Sequence, residues 1–217
     1  PIQAQGLPGV VAGKGLLAQA KTGSWKTAAF AIGLLHNLDT VMYQTQGLVL
    51  CPTRELADQV SNEIRRLARA IPNVRTVTLC GGKPLGPQLA SLEHSPHIVV
   101  GTPGRILKHL DKGSLTMAGL KTLVLDETDR MLDMGFYDDI MKIISYLPEK
   151  RQNLMFSATF SDDIRKLAKT ICVNPIEIDV APRNSTVEAI SQKLYTVAKE
   201  HKAALLCHLL SKSKEQT

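Results

Sequence analysis

The distribution of apolar residues constrains the fold most strongly, because short apolar runs alternate with longer segments of helical periodicity. The runs are rich in Val, Ile and Leu and hardly alternate with polar residues, which is typical of strands buried on both faces of a parallel sheet. The sequence predicts seven such strands: Gly15–Ala18, Gly47–Cys51, Val74–Leu79, His97–Val100, Thr122–Leu125, Asn153–Phe156 and Pro175–Val180. Parallel strands need helical crossovers, so the pattern predicts an α/β domain with a doubly wound, mostly parallel sheet.

Segments with helical periodicity separate these strands. In the segment that begins at Arg54, apolar side chains recur at three- and four-residue spacing and form one stripe. Ser161 precedes two aspartates, which predicts a capped helix start with acidic residues in the first turn. The predicted helices are Lys26–Leu38, Arg54–Ala70, Gly104–Leu110, Tyr137–Tyr146 and Asp162–Ile171.

The composition of the last forty residues indicates a domain boundary. We expect residues 1–180 to form the first domain, 181–190 a linker, and 191–217 the truncated start of a second domain. That start contains a candidate strand, Gln192–Val197, and an amphipathic helix, Ala203–Leu210. Because the chain begins at Pro1 and lacks an initial Met, we expect it to be a fragment of a longer protein.

Charge and cysteine content limit the classes of function. The 26 Lys and Arg against 20 Asp and Glu give a net charge of +6, which favours a polyanionic partner without establishing one. No apolar run spans a bilayer and no signal peptide is evident, so we expect no membrane association. Four scattered cysteines (Cys51, Cys80, Cys172, Cys207) form no C-x-x-C pair, which argues against zinc and predicts buried free thiols in the cytoplasm.

A phosphate-binding loop is predicted between the first strand and the first predicted helix. The loop is Ala20-Lys21-Thr22-Gly23-Ser24-Trp25-Lys26-Thr27, in which Lys26 would reach the β- and γ-phosphates and Thr27 would hold Mg²⁺. A Gly is expected before the Lys, where it lets the backbone close around a phosphate, but Trp25 stands there. Its indole must point to solvent or fill the phosphate pocket. Taken alone, the segment also fits a chance strand–turn–helix junction.

Adjacent carboxylates follow the strand Thr122–Leu125. Burying such groups costs several kcal/mol unless they meet a cation or hydrogen bonds. At the carboxyl end of a parallel strand, Asp126 would hold Mg²⁺ through water and Glu127 would orient or deprotonate an attacking water. A solvated turn is the alternative when these residues are read alone. The phosphate loop upstream makes the catalytic interpretation the better one.

These and further motifs resemble, in order and spacing, the DEAD-box ATP-dependent RNA helicases, and within them the bacterial DbpA-like subgroup. The resemblance covers nearly the whole chain and implies a RecA-like P-loop NTPase domain, the N-terminal one of two. Beyond Ala20–Thr27 and Asp126–Asp129, the matching segments are Pro1-Ile2-Gln3, Pro52-Thr53-Arg54-Glu55-Leu56-Ala57, Gly81-Gly82, Thr102-Pro103-Gly104-Arg105, Arg130–Phe136 and Ser157-Ala158-Thr159.

The resemblance implies roles for individual positions. Gln3 would bind the adenine, and Ala20, Lys21, Thr22, Gly23 and Ser24 would bind the phosphates of ATP together with Lys26 and Thr27. Asp129, Ser157 and Thr159 would couple nucleotide state to RNA binding. The RNA sugar-phosphate backbone, not its bases, would be bound by Thr53, Arg54, Gly82, Thr102, Gly104 and Arg105. The protein would act as a monomer, and the six histidines fit no motif and are interpreted as surface or core residues.

Three departures from the family pattern leave more than one function open. They are Trp25, Thr128 in place of the Ala of the DEAD motif, and the missing second domain, which in the family supplies arginine fingers. One hypothesis is half of an ATP-dependent RNA helicase that is nearly inert alone, since such a finger contributes roughly 10³–10⁵ in rate. The other is a catalytically dead RNA-binding or interaction module closed by Trp25. Natural loss, an engineered change and an accidental substitution all fit this residue, and the motif set disfavours a DNA helicase.

Overall fold

The computed structural model describes residues 2–19, 26–179 and 193–212. Contacts along the chain divide it into two units, Pro1–Pro182 and Arg183–Thr217. In the described part of the first unit, seven parallel strands form one sheet in the order β3-β4-β2-β5-β6-β1-β7. The prediction of a doubly wound α/β domain is therefore confirmed.

The strands lie within one or two residues of their predicted bounds. Their bounds are β1 Leu16–Gln19, β2 Gly47–Leu50, β3 Thr76–Leu79, β4 Ile98–Gly101, β5 Thr122–Leu125, β6 Gln152–Ser157 and β7 Ile176–Asp179. Every residue of β1, β2, β4, β5 and β6 is buried, whereas the edge strands β3 and β7 are partly exposed. The nearly continuous apolar runs in the sequence follow from this burial on both faces.

All five helices predicted between the strands are present, and so is the predicted helix Ala203–Leu210 near the C-terminus. The described chain contains further helices that the sequence did not predict. The bounds are α1 Ile2–Val11, α2 Lys26–His36, α3 Arg54–Leu67, α4 Leu85–Leu92, α5 Pro103–Asp111, α6 Thr128–Asp133, α7 Tyr137–Ser145, α8 Asp162–Ile171 and α9 Lys202–Lys212. Short 3₁₀ turns cover Ala68–Ala70 and Lys199–His201. The predicted cap at Ser161 is confirmed, since its hydroxyl accepts a hydrogen bond from the Ile164 N–H.

The core lies on both faces of the sheet because neighbouring strand residues point to opposite sides. Leu48 and Leu50 pack on the face covered by α5, α7 and α8, whereas Val49 between them packs on the face covered by α1, α2 and α3. On the latter face the rings of Phe30 and Phe156 lie 5.4 Å apart. Because all the pairings between these strands are parallel, their carboxyl ends lie along one edge of the sheet.

The C-terminal segment and the cysteines differ in part from expectation. Residues 193–198 have no regular structure, so the predicted strand Gln192–Val197 is wrong over its described residues. The predicted linker lies outside the described residues. Cys51, Cys80 and Cys172 are buried as expected, but Cys207 is exposed because α9 exposes most of its surface. No helix of the described chain has the length and apolarity needed to cross a membrane.

Candidate nucleotide and RNA site

Lys26 and Asp126, two of the predicted catalytic residues, face each other at the carboxyl edge of the sheet. Lys26 opens α2 and Asp126 follows β5, and the Lys26 Nζ lies 3.6 Å from the Asp126 Oδ1. Their side chains are only 6% and 3% exposed. Within the described residues the Lys26 ammonium makes no hydrogen bond. A buried ammonium with unused donors fits a site for phosphate oxygens.

Burial dominates the electrostatics of Asp126. It raises the pKa of this carboxyl, the Lys26 charge opposes the rise, and the neighbouring Glu127 adds to it. The Glu127 N–H donates a 3.0 Å hydrogen bond to the Asp126 Oδ1, which fixes the carboxylate at the strand end. The Asp126 carboxylate at the strand end supplies the kind of oxygen ligand that a hard divalent cation such as Mg²⁺ prefers. Thr27, half-buried in the first turn of α2, is the second predicted metal-holding residue.

Glu127 has an unusual backbone conformation and a neighbour that the sequence did not reveal. Its backbone angles are φ 49 and ψ 53 degrees, in the left-handed region. A non-glycine residue adopts this region at a cost of roughly 1–2 kcal/mol. The Arg130 guanidinium lies 3.3 Å from the Glu127 Oε2. The Arg130 spacing on α6 is the signal that could have indicated this contact, but α6 itself was not predicted.

The predicted coupling residues lie together between α6 and the end of β6. The Thr159 hydroxyl donates to the Asp129 Oδ2 at 3.2 Å, and the Asp129 N–H donates to the Ser157 Oγ at 3.3 Å. The buried Thr128 hydroxyl lies 3.1 Å from the Phe156 carbonyl oxygen and 3.3 Å from that of Leu125. The Thr that replaces the family-typical Ala therefore adds a hydroxyl contact between the two segments.

The predicted RNA-binding residues lie where β2, β3 and β4 end. Thr53 caps α3, and its hydroxyl accepts from the Leu56 N–H at 3.3 Å. A Cβ on Gly82 would lie 2.8 Å from an Arg54 guanidinium nitrogen, so Arg54 packs against the Gly82 backbone. The Thr102 hydroxyl accepts a 3.4 Å bond from the Gly81 N–H.

Gly104 and Arg105 lie on the first turn of α5, and both guanidinium NH groups of Arg105 donate to the Lys83 carbonyl at 3.1 Å. Arg54, Gly82 and Gly104 are exposed, Thr53 and Arg105 are half-buried, and Thr102 is buried. The sheet therefore brings these residues to one edge, and most of them are accessible to a ligand.

Part of the predicted nucleotide site lies outside the described residues. This part comprises Ala20, Lys21, Thr22, Gly23 and Ser24, together with Trp25. Gln3 lies in α1, and its side chain is likewise outside the described part of the chain.

Known proteins with similar sequences and folds identify the family of this chain. The DEAD/DEAH box helicase family model matches residues 1–167. The ATP-dependent RNA helicase DbpA of Escherichia coli (strain K12) is 51% identical over 211 residues, which cover 97% of this chain and 46% of that protein. The DEAD-box ATP-dependent RNA helicase CshA of Bacillus cereus (strain ATCC 10987 / NRS 248) is 42% identical over 97% of this chain and 40% of that protein.

Among solved structures, a DEAD box protein from the hyperthermophile Methanococcus jannaschii superposes with a TM-score of 0.78 and 38% identity, covering 99% of this chain and 57% of that one. The chain thus spans less than half the length of these two curated relatives. With the family model covering most of its length, the chain belongs to the DEAD/DEAH box helicase family.

Proposed function

We propose that this chain is the ATP-Mg- and RNA-binding first domain of an ATP-dependent RNA helicase that locally unwinds short duplexes. The proposal assigns residues 1–180 to that domain and residues 191–217 to the start of a second one. The observation that carries it is the buried Lys26 ammonium, which lies 3.6 Å from Asp126 and makes no hydrogen bond within the described residues. An anionic ligand would use its remaining donors.

Each residue of the site would have a different chemical role. Lys26 would donate to phosphate oxygens, while Asp126 and Thr27 would hold the waters around a magnesium ion. When bound, Mg-ATP supplies the phosphoryl group that water attacks and the cation that neutralises its charge. Glu127 would accept the proton of that water. The ion pair with Arg130 holds the Glu127 carboxylate in place.

The RNA would be held by its backbone at the other end of the same sheet edge. Exposed Gly82 and Gly104 allow close approach of a phosphate, and the Arg54 and Arg105 guanidinium groups supply charge. The hydrogen bonds of Asp129 with Ser157 and Thr159 support a role in coupling the two ends.

We expect negligible RNA-stimulated ATPase activity for residues 1–217 alone. In the family that the chain resembles, a second domain supplies arginine fingers, which contribute about 10³–10⁵ in rate. Robust multiple turnover by this chain would contradict that part of the proposal.

Nucleotide binding can be measured through Trp25, the single tryptophan of the chain. Energy transfer from its indole to N-methylanthraniloyl-ADP in the presence of Mg²⁺ reports occupancy, and the variant Lys26→Ala should lose most of the affinity. Trp25→Gly is the matched control. Because it lacks the tryptophan donor, its nucleotide binding is measured by the direct fluorescence of the anthraniloyl group. If the native chain and this variant bind equally well, the indole leaves the phosphate pocket open.

The alternative is a catalytically dead RNA-binding module, and Trp25 is the observation that favours it. It predicts that the Trp25→Gly variant binds ADP while the native chain does not. In both cases the native chain should bind single-stranded RNA.

A further inference from the structure

The loop that follows β3 is held at three points. Its Gly81 N–H donates to Thr102, its Lys83 carbonyl accepts from Arg105, and the carbonyl of Cys80 accepts a 3.0 Å hydrogen bond from the Gln88 Nε2. The first two contacts involve proposed RNA-binding residues. The third comes from a buried side chain of α4 to which no role has been assigned.

Gln88 is the middle member of a buried chain of hydrogen bonds. Its Oε1 lies 3.3 Å from the His109 Nε2, and the His109 Nδ1 lies 2.9 Å from the Ser114 hydroxyl. Gln88 is 6% exposed and His109 is fully buried. Neither side chain can touch a ligand on the surface.

The Cys80 carbonyl, the acceptor at one end of this chain of hydrogen bonds, determines which group donates in each bond. A backbone carbonyl can only accept, so the Gln88 amide nitrogen donates to Cys80 and the amide oxygen faces His109. The proton of His109 must then be on Nε2. The Ser114 hydroxyl lies within hydrogen-bond distance of both the His109 Nδ1 and, at 3.1 Å, the His109 carbonyl oxygen, so its single proton is available to either acceptor. The hydrogen bonds therefore run, donor to acceptor, from His109 through Gln88 to the Cys80 carbonyl at the start of the loop.

The buried chain joins two parts of the proposed RNA surface. His109 lies on α5, whose first turn carries Gly104 and Arg105, and Gln88 reaches the residue that precedes Gly81 and Gly82. A set of buried polar side chains that satisfy one another fixes geometry more strictly than an apolar contact of equal volume.

We propose that Gln88 and His109 are positioning residues that hold the Gly81–Lys83 loop against α5 for binding of the RNA backbone. This inference rests on the proposed function. It assigns the two residues an effect on RNA affinity and none on nucleotide affinity, because the Lys26–Asp126 site lies at other strand ends.

The test compares the native chain with Gln88→Met, His109→Leu and His109→Gln. Gln88→Met keeps the volume but removes the donor to Cys80, and His109→Gln keeps a donor near the position of Nε2. RNA affinity is measured by anisotropy of a fluorescein-labelled ten-nucleotide oligouridine, and nucleotide affinity by energy transfer from Trp25. Hydrogen exchange of residues 80–83 follows the loop directly.

We expect Gln88→Met and His109→Leu each to weaken RNA binding about tenfold, the equivalent of one net hydrogen bond. The double variant should bind RNA no more weakly than either single variant, because both changes break the same chain of hydrogen bonds. His109→Gln should restore most of the affinity, nucleotide affinity should stay within about twofold, and exchange at 80–83 should accelerate in the two weak variants.

Native RNA affinity in Gln88→Met would overturn the inference. An equal loss of RNA and nucleotide affinity would also overturn it, since that result indicates general loss of structure. If the native chain binds no RNA, the proposed function fails and the inference with it, so the two failures are distinguishable.

Discussion

Removing one partner of the Lys26–Asp126 pair should destabilise the domain far more than removing both. At the observed separation of 3.6 Å, two unit charges interact by about 5 kcal/mol at an effective dielectric constant of about 20. Because both side chains are almost fully buried, Lys26→Met leaves an uncompensated carboxylate in the core. We expect this variant to lose about 3–5 kcal/mol of the free energy of unfolding, and Asp126→Asn to lose a comparable amount.

The double variant Lys26→Met/Asp126→Asn contains no isolated buried charge. It should be more stable than the sum of the single changes predicts, with a coupling energy of about 2–3 kcal/mol. Urea unfolding followed by far-UV circular dichroism, without nucleotide or Mg²⁺, measures the four free energies.

A matched control is present on α8. Lys166 and Asp163 also lie 3.6 Å apart, but their side chains are three quarters exposed. Their double-mutant cycle should give a coupling below about 0.5 kcal/mol, since water screens the pair. A coupling at Lys26 and Asp126 as small as the control would refute the claim that they form a buried ion pair.

Further predictions concern stability. Gly101→Ala should lower the free energy of unfolding by about 3 kcal/mol or more, because the added Cβ would overlap the Leu79 carbonyl oxygen of β3. A Cβ at Gly86 on α4 meets open space, so Gly86→Ala should be neutral or stabilising in thermal melts. Thr128→Val should lower the free energy of unfolding by about 1–3 kcal/mol, because it removes the hydroxyl that donates to the buried Phe156 carbonyl. Thr128→Ser keeps the hydroxyl and should have nearly native stability. A Thr128→Val variant of native stability would contradict this prediction. Burial, and secondarily the charge of Arg105, lowers the pKa of His109 below its ordinary 6.5. The unfolded chain then binds the proton more readily, so unfolding free energy should fall as pH drops below about 6.5, and His109→Gln should flatten that dependence in urea titrations.

The strands and the main helices could be predicted because burial determines where apolar residues occur in the sequence. Strands such as β2 are buried on both faces and therefore read as continuous apolar runs. Helix α1 was missed because Gly6, Pro8 and Gly9 interrupt helical periodicity, and its packing against the sheet overrides their low propensity. Helix α4 was missed because it is short and carries Gly and Pro in its first turn.

In the candidate site, too, some features could be predicted from local sequence patterns, whereas others depend on the tertiary structure. Lys26 and Asp126 could be predicted to meet because both follow the carboxyl ends of parallel strands. The three-residue spacing of Glu127 and Arg130 suits an ion pair on a helix, but this helix starts from a left-handed residue and was not predicted. Gln88 and His109 are 21 residues apart, and their hydrogen bond depends on the tertiary structure that brings the two side chains together, which periodicity does not encode.

The central claim is that Lys26 and Asp126 share one metal–nucleotide complex. Manganese can replace magnesium in such a site, and its unpaired electrons broaden the NMR signals of nearby amides. With Mn-ADP bound, we predict the strongest broadening at residues 126–129 and 157–159 and around Lys26, and weaker broadening of amides at the amino ends of the strands, such as that of Lys121. The broadening should be lost in Asp126→Asn. Broadening that leaves residues 126–129 untouched, or that is unchanged in Asp126→Asn, would contradict the account.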